Sequence, residues 1–130
     1  FQNKLFTMEV LGSAIVAALE HGVNGVEEGA GRFPQVAGLR FRLDLSVPPN
    51  GGRVSAVEVR GADGEWTPID PDAVYTIVTN DFMAGGGDGY AMLRDGTNRY
   101  DTAIDLADAL AEYLTVNAPF APVLDGRILQ

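Results

Sequence analysis

Cysteine is missing from this 130-residue chain, which excludes disulfides and thiolate metal sites and leaves the redox compartment open. Histidine is nearly as scarce: His21 stands alone, near the end of a predicted helix, and reads as a cap or surface residue. No HxxxH, HExxH or DxH pair occurs, so the clustered donors of a catalytic metal centre are lacking and no metal ligands are assigned. Basic residues are few, nine against eighteen acids, and the net charge of −9 argues against a nucleic-acid backbone or an anionic membrane as partner. No apolar run approaches the roughly 20 residues of a membrane span. There is no GxSxG elbow and no serine near the lone histidine, so nucleophilic catalysis finds no support and no catalytic residue is assigned.

What is present suits an ordinary globular domain, with 46% hydrophobic and 21% charged residues. At this length one domain buries about two-thirds of its unfolded surface. Residues 5–11 alternate as a half-buried strand. Ser13 is then a candidate N-cap for a helix with Ile15, Val16, Leu19 and Val23 on one face, ended by Gly22 or Gly25. Leu39, Phe41, Leu43 and Leu45 point one way from a second strand, with Arg40, Arg42 and Asp44 opposite. The turn at 48–52 is too short for a crossover, so residues 54–60 pair back as a hairpin. Residues 74–79 form another strand. A second long helix is predicted over 102–116, with Thr102 and Asp105 as a capping pair and Ile104, Ala107, Leu110, Ala111 and Leu114 on its buried face. Gly126 to Leu129 closes with a strand. Hairpins without strict β-α alternation predict an α+β fold: a mixed or antiparallel sheet packed against two main helices.

The strand at 74–79 runs into Asn80-Asp-Phe-Met-Ala-Gly-Gly-Gly-Asp-Gly-Tyr90. Gly85 to Gly87 can take positive φ and admit another molecule close to the backbone. Phe82, Tyr90 and Asp88 flank them, and a planar face with a carboxylate suits a ligand bearing an aromatic ring and vicinal hydroxyls. The other reading is a tight loop with Phe82 packed beneath it. Tyr90 reads as a packing residue with its hydroxyl at the surface. A phosphate-cradling P-loop is rejected, because no Lys-Ser/Thr follows the glycines. A dinucleotide-binding turn is rejected because no long apolar helix follows.

The 80–90 run resembles the signature of the C-terminal domain of the 5'-nucleotidase family. Leu5-Phe-Thr-Met-Glu-Val-Leu-Gly12 resembles that domain's opening, and Gly31-Arg-Phe-Pro-Gln-Val-Ala-Gly-Leu-Arg-Phe41 resembles its first aromatic loop. The resemblance covers essentially the whole chain. It implies that residues 1–130 are such a domain, excised from a longer polypeptide whose N-terminal metallophosphoesterase domain carries two divalent metals and the hydrolytic chemistry. This chain would hold no cofactor and would be inactive alone. Its implied ligand is a nucleotide or nucleoside, with Phe82 and Phe33 as the two faces of an aromatic clamp, Asp88 on the ribose hydroxyls, and Gly86 and Gly87 shaping the loop. The spacing of Phe82 and Asp88 favours a nucleoside over the small inorganic esters that one branch of the family hydrolyses. The resemblance also implies a periplasmic, secreted or cell-surface location. The alternative is a stand-alone nucleoside-binding or interaction module without catalysis.

Overall fold

The structure, a computed structural model, describes residues 1–130. Its elements run β1 (Lys4–Leu11), α1 (Gly12–Gly22), β2 (Leu39–Leu43), β3 (Val54–Arg60), β4 (Trp66–Pro68), β5 (Val74–Asn80), α2 (Asp81–Ala84), β6 (Thr97–Asp105), α3 (Leu106–Val116) and β7 (Ile128–Leu129). The α+β class is as expected. The chain divides into two units, one of residues 1–10 with 74–123 and the other of residues 11–73 with 124–130.

The first unit is built on a three-stranded sheet in the order β5-β1-β6. Period-two alternation in β1 buries Met8 and Val10, and Ala84, Tyr90 and Leu93 complete the buried apolar set. β6 corrects the expected helix over 102–116. It pairs antiparallel with β1, Phe6 opposite Asp101 and Thr7 opposite Tyr100, and the helix starts only at Leu106. The cause is local. The hydroxyl of Thr102 donates to the Leu5 carbonyl at 2.7 Å and stays in the sheet, whereas Asp105 Oδ1 accepts from the Ala107 N–H at 2.9 Å and caps α3. The second correction concerns the face of α3. Helical spacing predicts burial of Ala107, Leu110, Ala111 and Leu114, yet no residue of α3 is buried, and Ile104 is exposed too.

The second unit carries a four-stranded sheet in the order β4-β3-β2-β7. The β2–β3 hairpin is antiparallel as the short turn requires, with Leu39 opposite Val59 and Leu43 opposite Val54. β7 adds to β2 in parallel, Ile128 opposite Phe41. The alternation is realised over Phe41 and Leu43, buried, and Arg42, exposed, but the strand ends at Leu43 and Leu45 beyond it is exposed. Ile15, Leu19 and Val23 are buried as their helical spacing predicts, and Val16 is half-buried. Ser13 is not the cap: α1 begins at Gly12, and Leu11 in the cap position makes no side-chain bond. The first amides of α1 are satisfied by another stretch of backbone instead, Gly12 N–H donating to Ala73 O at 2.9 Å and Ser13 N–H to Pro71 O at 3.0 Å.

Arg53 is 2% exposed and organises this unit. Its guanidinium donates to Val47 O at 2.7 Å, to Val23 O at 3.1 Å and to both carboxylate oxygens of Glu27. Glu20, from α1, accepts from the backbone amides of Gly52, Arg53 and Val54 at 2.9–3.0 Å. Burial alone raises the Glu20 pKa, but the three amide donors and the nearby Arg53 charge outweigh it and hold the carboxyl below its ordinary value. Hydrogen bonding from Arg53 likewise lowers Glu27. A carboxyl whose folded pKa lies below its unfolded one stabilises the fold above the unfolded value and loses that contribution as pH falls through the folded value. Thermal melts should therefore show stability falling as pH drops below about 4.5, the ordinary value for Glu20. Glu20→Gln should lower the neutral-pH melting temperature and flatten that acid limb. Parallel acid limbs for the two proteins would remove Glu20 from the explanation.

Candidate functional site

β5 delivers the chain into the glycine loop, and the first two residues of the run fix its geometry. Asn80 Oδ1 accepts from Met83 N–H at 2.7 Å and caps the single turn of α2. Asp81 Oδ1 accepts from Phe82 N–H at 3.0 Å and from Lys4 N–H at 3.1 Å, tying the loop to the start of β1. Gly85 and Gly86 N–H then bond back to Asp81 O and Met83 O, and Gly86 turns the chain at φ 89°. Two short 3₁₀ turns, Gly87–Gly89 and Ala91–Leu93, lead out.

Phe82 is 51% exposed. Its ring rests against the backbone of Gly87: a Cβ added there would lie 2.5 Å from ring atoms Cδ1 and Cε1, so only glycine admits the ring so close. Asp88, the next residue, is exposed and adopts φ 52°, ψ 23°, a left-handed conformation that aspartate tolerates better than most residues. A non-glycine residue held there at an exposed loop is a feature from which function is sensibly sought. Tyr90 departs from expectation. Its packing role holds, but at 2% exposed the side chain lies in the interior rather than reaching the surface, and it anchors the loop's exit.

Phe82, Gly86, Gly87 and Asp88 thus come together on one loop of the first unit. Phe33 belongs to the second unit, where it is half-buried and its N–H donates to Ala30 O. Arg32 beside it bonds Asn24, and Arg40 pairs with Glu58 at 2.5 Å while lying 4.6 Å over the Trp66 ring, so both are engaged within their own unit.

Two arginines join the site that no sequence motif singles out. Arg99, on β6, donates to Ala84 O at 2.8 Å and to Leu93 O at 3.0 Å, closing the two ends of the loop toward each other. It also stacks 5.0 Å over the Phe6 ring. Arg94 lies across Gly86, with Nε 2.7 Å from where a Cβ would stand. The signal for Arg99 is weak in the sequence. Arg99 is itself exposed, and its carbonyl partners can be named only once β6 is recognised as a strand.

No three His, Asp or Glu side chains converge in a way that could hold a metal ion, so the donor set does not fit the divalent metals that the family resemblance implies elsewhere. No helix is long and apolar enough to cross a membrane. A concavity of about 410 Å³ lies in the second unit along β2 and β7 and is lined by Arg42, Leu43, Leu45, Ser55 and Leu129 among others. It gathers strand-end side chains, whereas the loop holds the exposed ring of Phe82 and the exposed carboxylate of Asp88.

Residues 1–95 match the family described as "5'-nucleotidase, C-terminal domain". The chain is 35% identical over 132 residues to a 5'-nucleotidase of Diplobatis ommata, covering 99% of this chain and 23% of that one. It is 34% identical over 129 residues to the trifunctional nucleotide phosphoesterase protein YfkN of Bacillus subtilis, covering 98% and 9%. Among solved structures, a 5'-nucleotidase precursor from Thermus thermophilus superposes with a TM-score of 0.90 at 43% identity, covering 98% of this chain and 25% of that one. The chain therefore spans about a quarter or less of the length of these relatives.

Gly87→Ala should push the Phe82 ring off the loop, moving its aromatic NMR resonances while the melting temperature changes little. Arg99→Ala should speed amide exchange across residues 85–93 and destabilise the first unit by roughly 1–3 kcal/mol, the cost of buried carbonyls losing a charged donor. Unchanged exchange in that segment would show that the loop holds its shape without Arg99.

Proposed function

Since this chain belongs to the 5'-nucleotidase family, in its C-terminal domain, we propose that it is the nucleoside-gripping part of a nucleotide phosphohydrolase. The base stacks on Phe82, and Asp88 accepts hydrogen bonds from the two ribose hydroxyls. Gly86 and Gly87 keep the backbone low beneath the ligand. The family resemblance also assigns Phe33 to the ligand. The observation that carries this reading is the pairing, on one glycine-shaped loop, of a half-exposed phenyl ring with an exposed carboxylate in a left-handed conformation.

Stacking a base on an aromatic ring is worth about 1–3 kcal/mol. A carboxylate that accepts from a vicinal diol adds charge-assisted bonds and orients the sugar. Stacking is nearly indifferent to which base is held, so the loop selects nucleosides as a class. Bond cleavage falls to a metallophosphoesterase domain N-terminal to this one in the same polypeptide, which holds two divalent metals as Lewis acids; the residues here bind and orient without catalysing. The whole protein acts outside the cytoplasm, in the periplasm, at the cell surface or as a secreted enzyme.

Adenosine titrated into the 130-residue chain, followed by amide chemical shifts, should bind with Kd in the millimolar range. Phe82→Ala should weaken binding about 5- to 150-fold, the range that the stacking energy converts to. Phe33→Ala should weaken it less. Asp88→Asn keeps a side chain that tolerates left-handed φ but loses the charge, and it should erase the preference for adenosine over 2',3'-dideoxyadenosine. Equal binding by all four proteins, or binding by none, rejects the assignment.

A further inference from the structure

We infer that Arg94 is a specificity residue: it reads the base edge far from the sugar and favours keto bases over amino bases. The inference rests on the nucleoside-binding reading above and deepens it. Stacking on Phe82 selects nucleosides as a class, and Arg94 selects among them.

The loop offers three stations on consecutive residues. A Cβ added at Gly86 would meet the stem of Arg94, with Cγ at 3.1 Å, Cδ at 3.0 Å and Nε at 2.7 Å. A Cβ added at Gly87 would meet the Phe82 ring, and the next residue is Asp88. In chain order the ring's station therefore lies between the cation and the carboxylate. A nucleoside with its ribose at Asp88 and its base on the ring turns its far edge toward the Gly86 side. Its 5' substituent leaves from the sugar, at the opposite end from Arg94.

Arg94 is held ready to use that edge. Its N–H donates to Ala91 O at 3.1 Å, its carbonyl accepts from Arg99 at 3.3 Å, and Leu93 before it is buried, so its backbone is fixed on both sides. An exposed arginine commonly lays its stem on apolar side chains, but this one runs along bare glycine backbone. Ion pairs occupy Lys4, Arg40, Arg53 and Arg127, and carbonyls occupy Arg99. The guanidinium of Arg94 makes no hydrogen bond or ion pair with the protein, and its donors are left for a ligand.

A guanidinium carries five N–H donors and no acceptor. The base edge opposite the glycosidic bond presents a carbonyl in 6-keto purines and in uracil, and an amino group in adenine and cytosine. A donor-only cation bonds the carbonyl and finds no acceptor on the amino group. Guanine O6 with N7 is the acceptor pair that arginine holds with two bonds, so 6-keto purines fit best.

The test titrates inosine, adenosine, uridine, cytidine and inosine 5'-monophosphate separately into the 130-residue chain and its Arg94→Met variant, followed by amide chemical shifts. Methionine keeps an unbranched stem over Gly86 and removes every donor. The unaltered chain should prefer inosine to adenosine, and uridine to cytidine, by about fivefold or more, the lower end of a good arginine–base pair. Arg94→Met should bring both ratios near one by weakening the keto ligands alone, and Arg94→Lys should keep part of each ratio. Equal affinity for all four nucleosides overturns the inference and leaves the stacking reading intact. Ratios that survive in Arg94→Met overturn it too, as does an equal loss of all four, which marks a loop-shaping role. A loss confined to the monophosphate puts Arg94 on the phosphate and also overturns it. Binding by no nucleoside removes the stacking reading, and this inference with it.

Discussion

The shape of the candidate site depends on one guanidinium. Arg99 reaches from β6 to carbonyls on both sides of the glycine loop, Ala84 before it and Leu93 after it, while its plane lies over the Phe6 ring. A loop with four glycines among residues 85–89 has little intrinsic preference for one conformation, and ordering it costs entropy at every position. Pinning both ends removes most of that freedom. The left-handed turns at Gly86 and Asp88 then follow from closing a short span, and the Phe82 ring settles on the one residue that has no side chain to repel it.

Much of this is legible in the sequence because it is local. The alternation in Leu39 to Leu43, the short turn at 48–52 and the 3.6-residue spacing of Ile15, Leu19 and Val23 each specify their element without reference to anything distant. The motif at 80–90 is legible as a loop for the same reason, down to Asn80 and Asp81 acting on neighbouring amides. Residues 97–105 are not, because Thr102-Ala-Ile-Asp-Leu106 satisfies a helix template as well as a strand. Pairing with β1, nearly a hundred residues earlier in sequence, decides it. Propensity yields where a sheet edge offers ready-made partners.

The start of α1 differs from its sequence pattern for a related reason. A serine at the right offset is a good sign of a capped helix when the helix must satisfy its own amides. Here the carbonyls of Pro71 and Ala73 do so from about sixty residues away, and Ser13 is released from the task. The grouping of Phe82, Gly86, Gly87 and Asp88 on one loop is legible because it is local, and Phe33 belongs to the other unit.

Glu20 also has a consequence for how this domain can vary. The amides at the end of the 48–52 turn are received by a carboxylate borrowed from α1, so the turn's own side chains carry none of that duty. Pro48, Pro49 and Asn50 are exposed. The turn's freedom to vary is confined to the two prolines, because Asn50 and Gly52 sit at φ 60° and 94° and a Cβ on Gly51 would lie 2.8 Å from the Pro48 carbonyl oxygen.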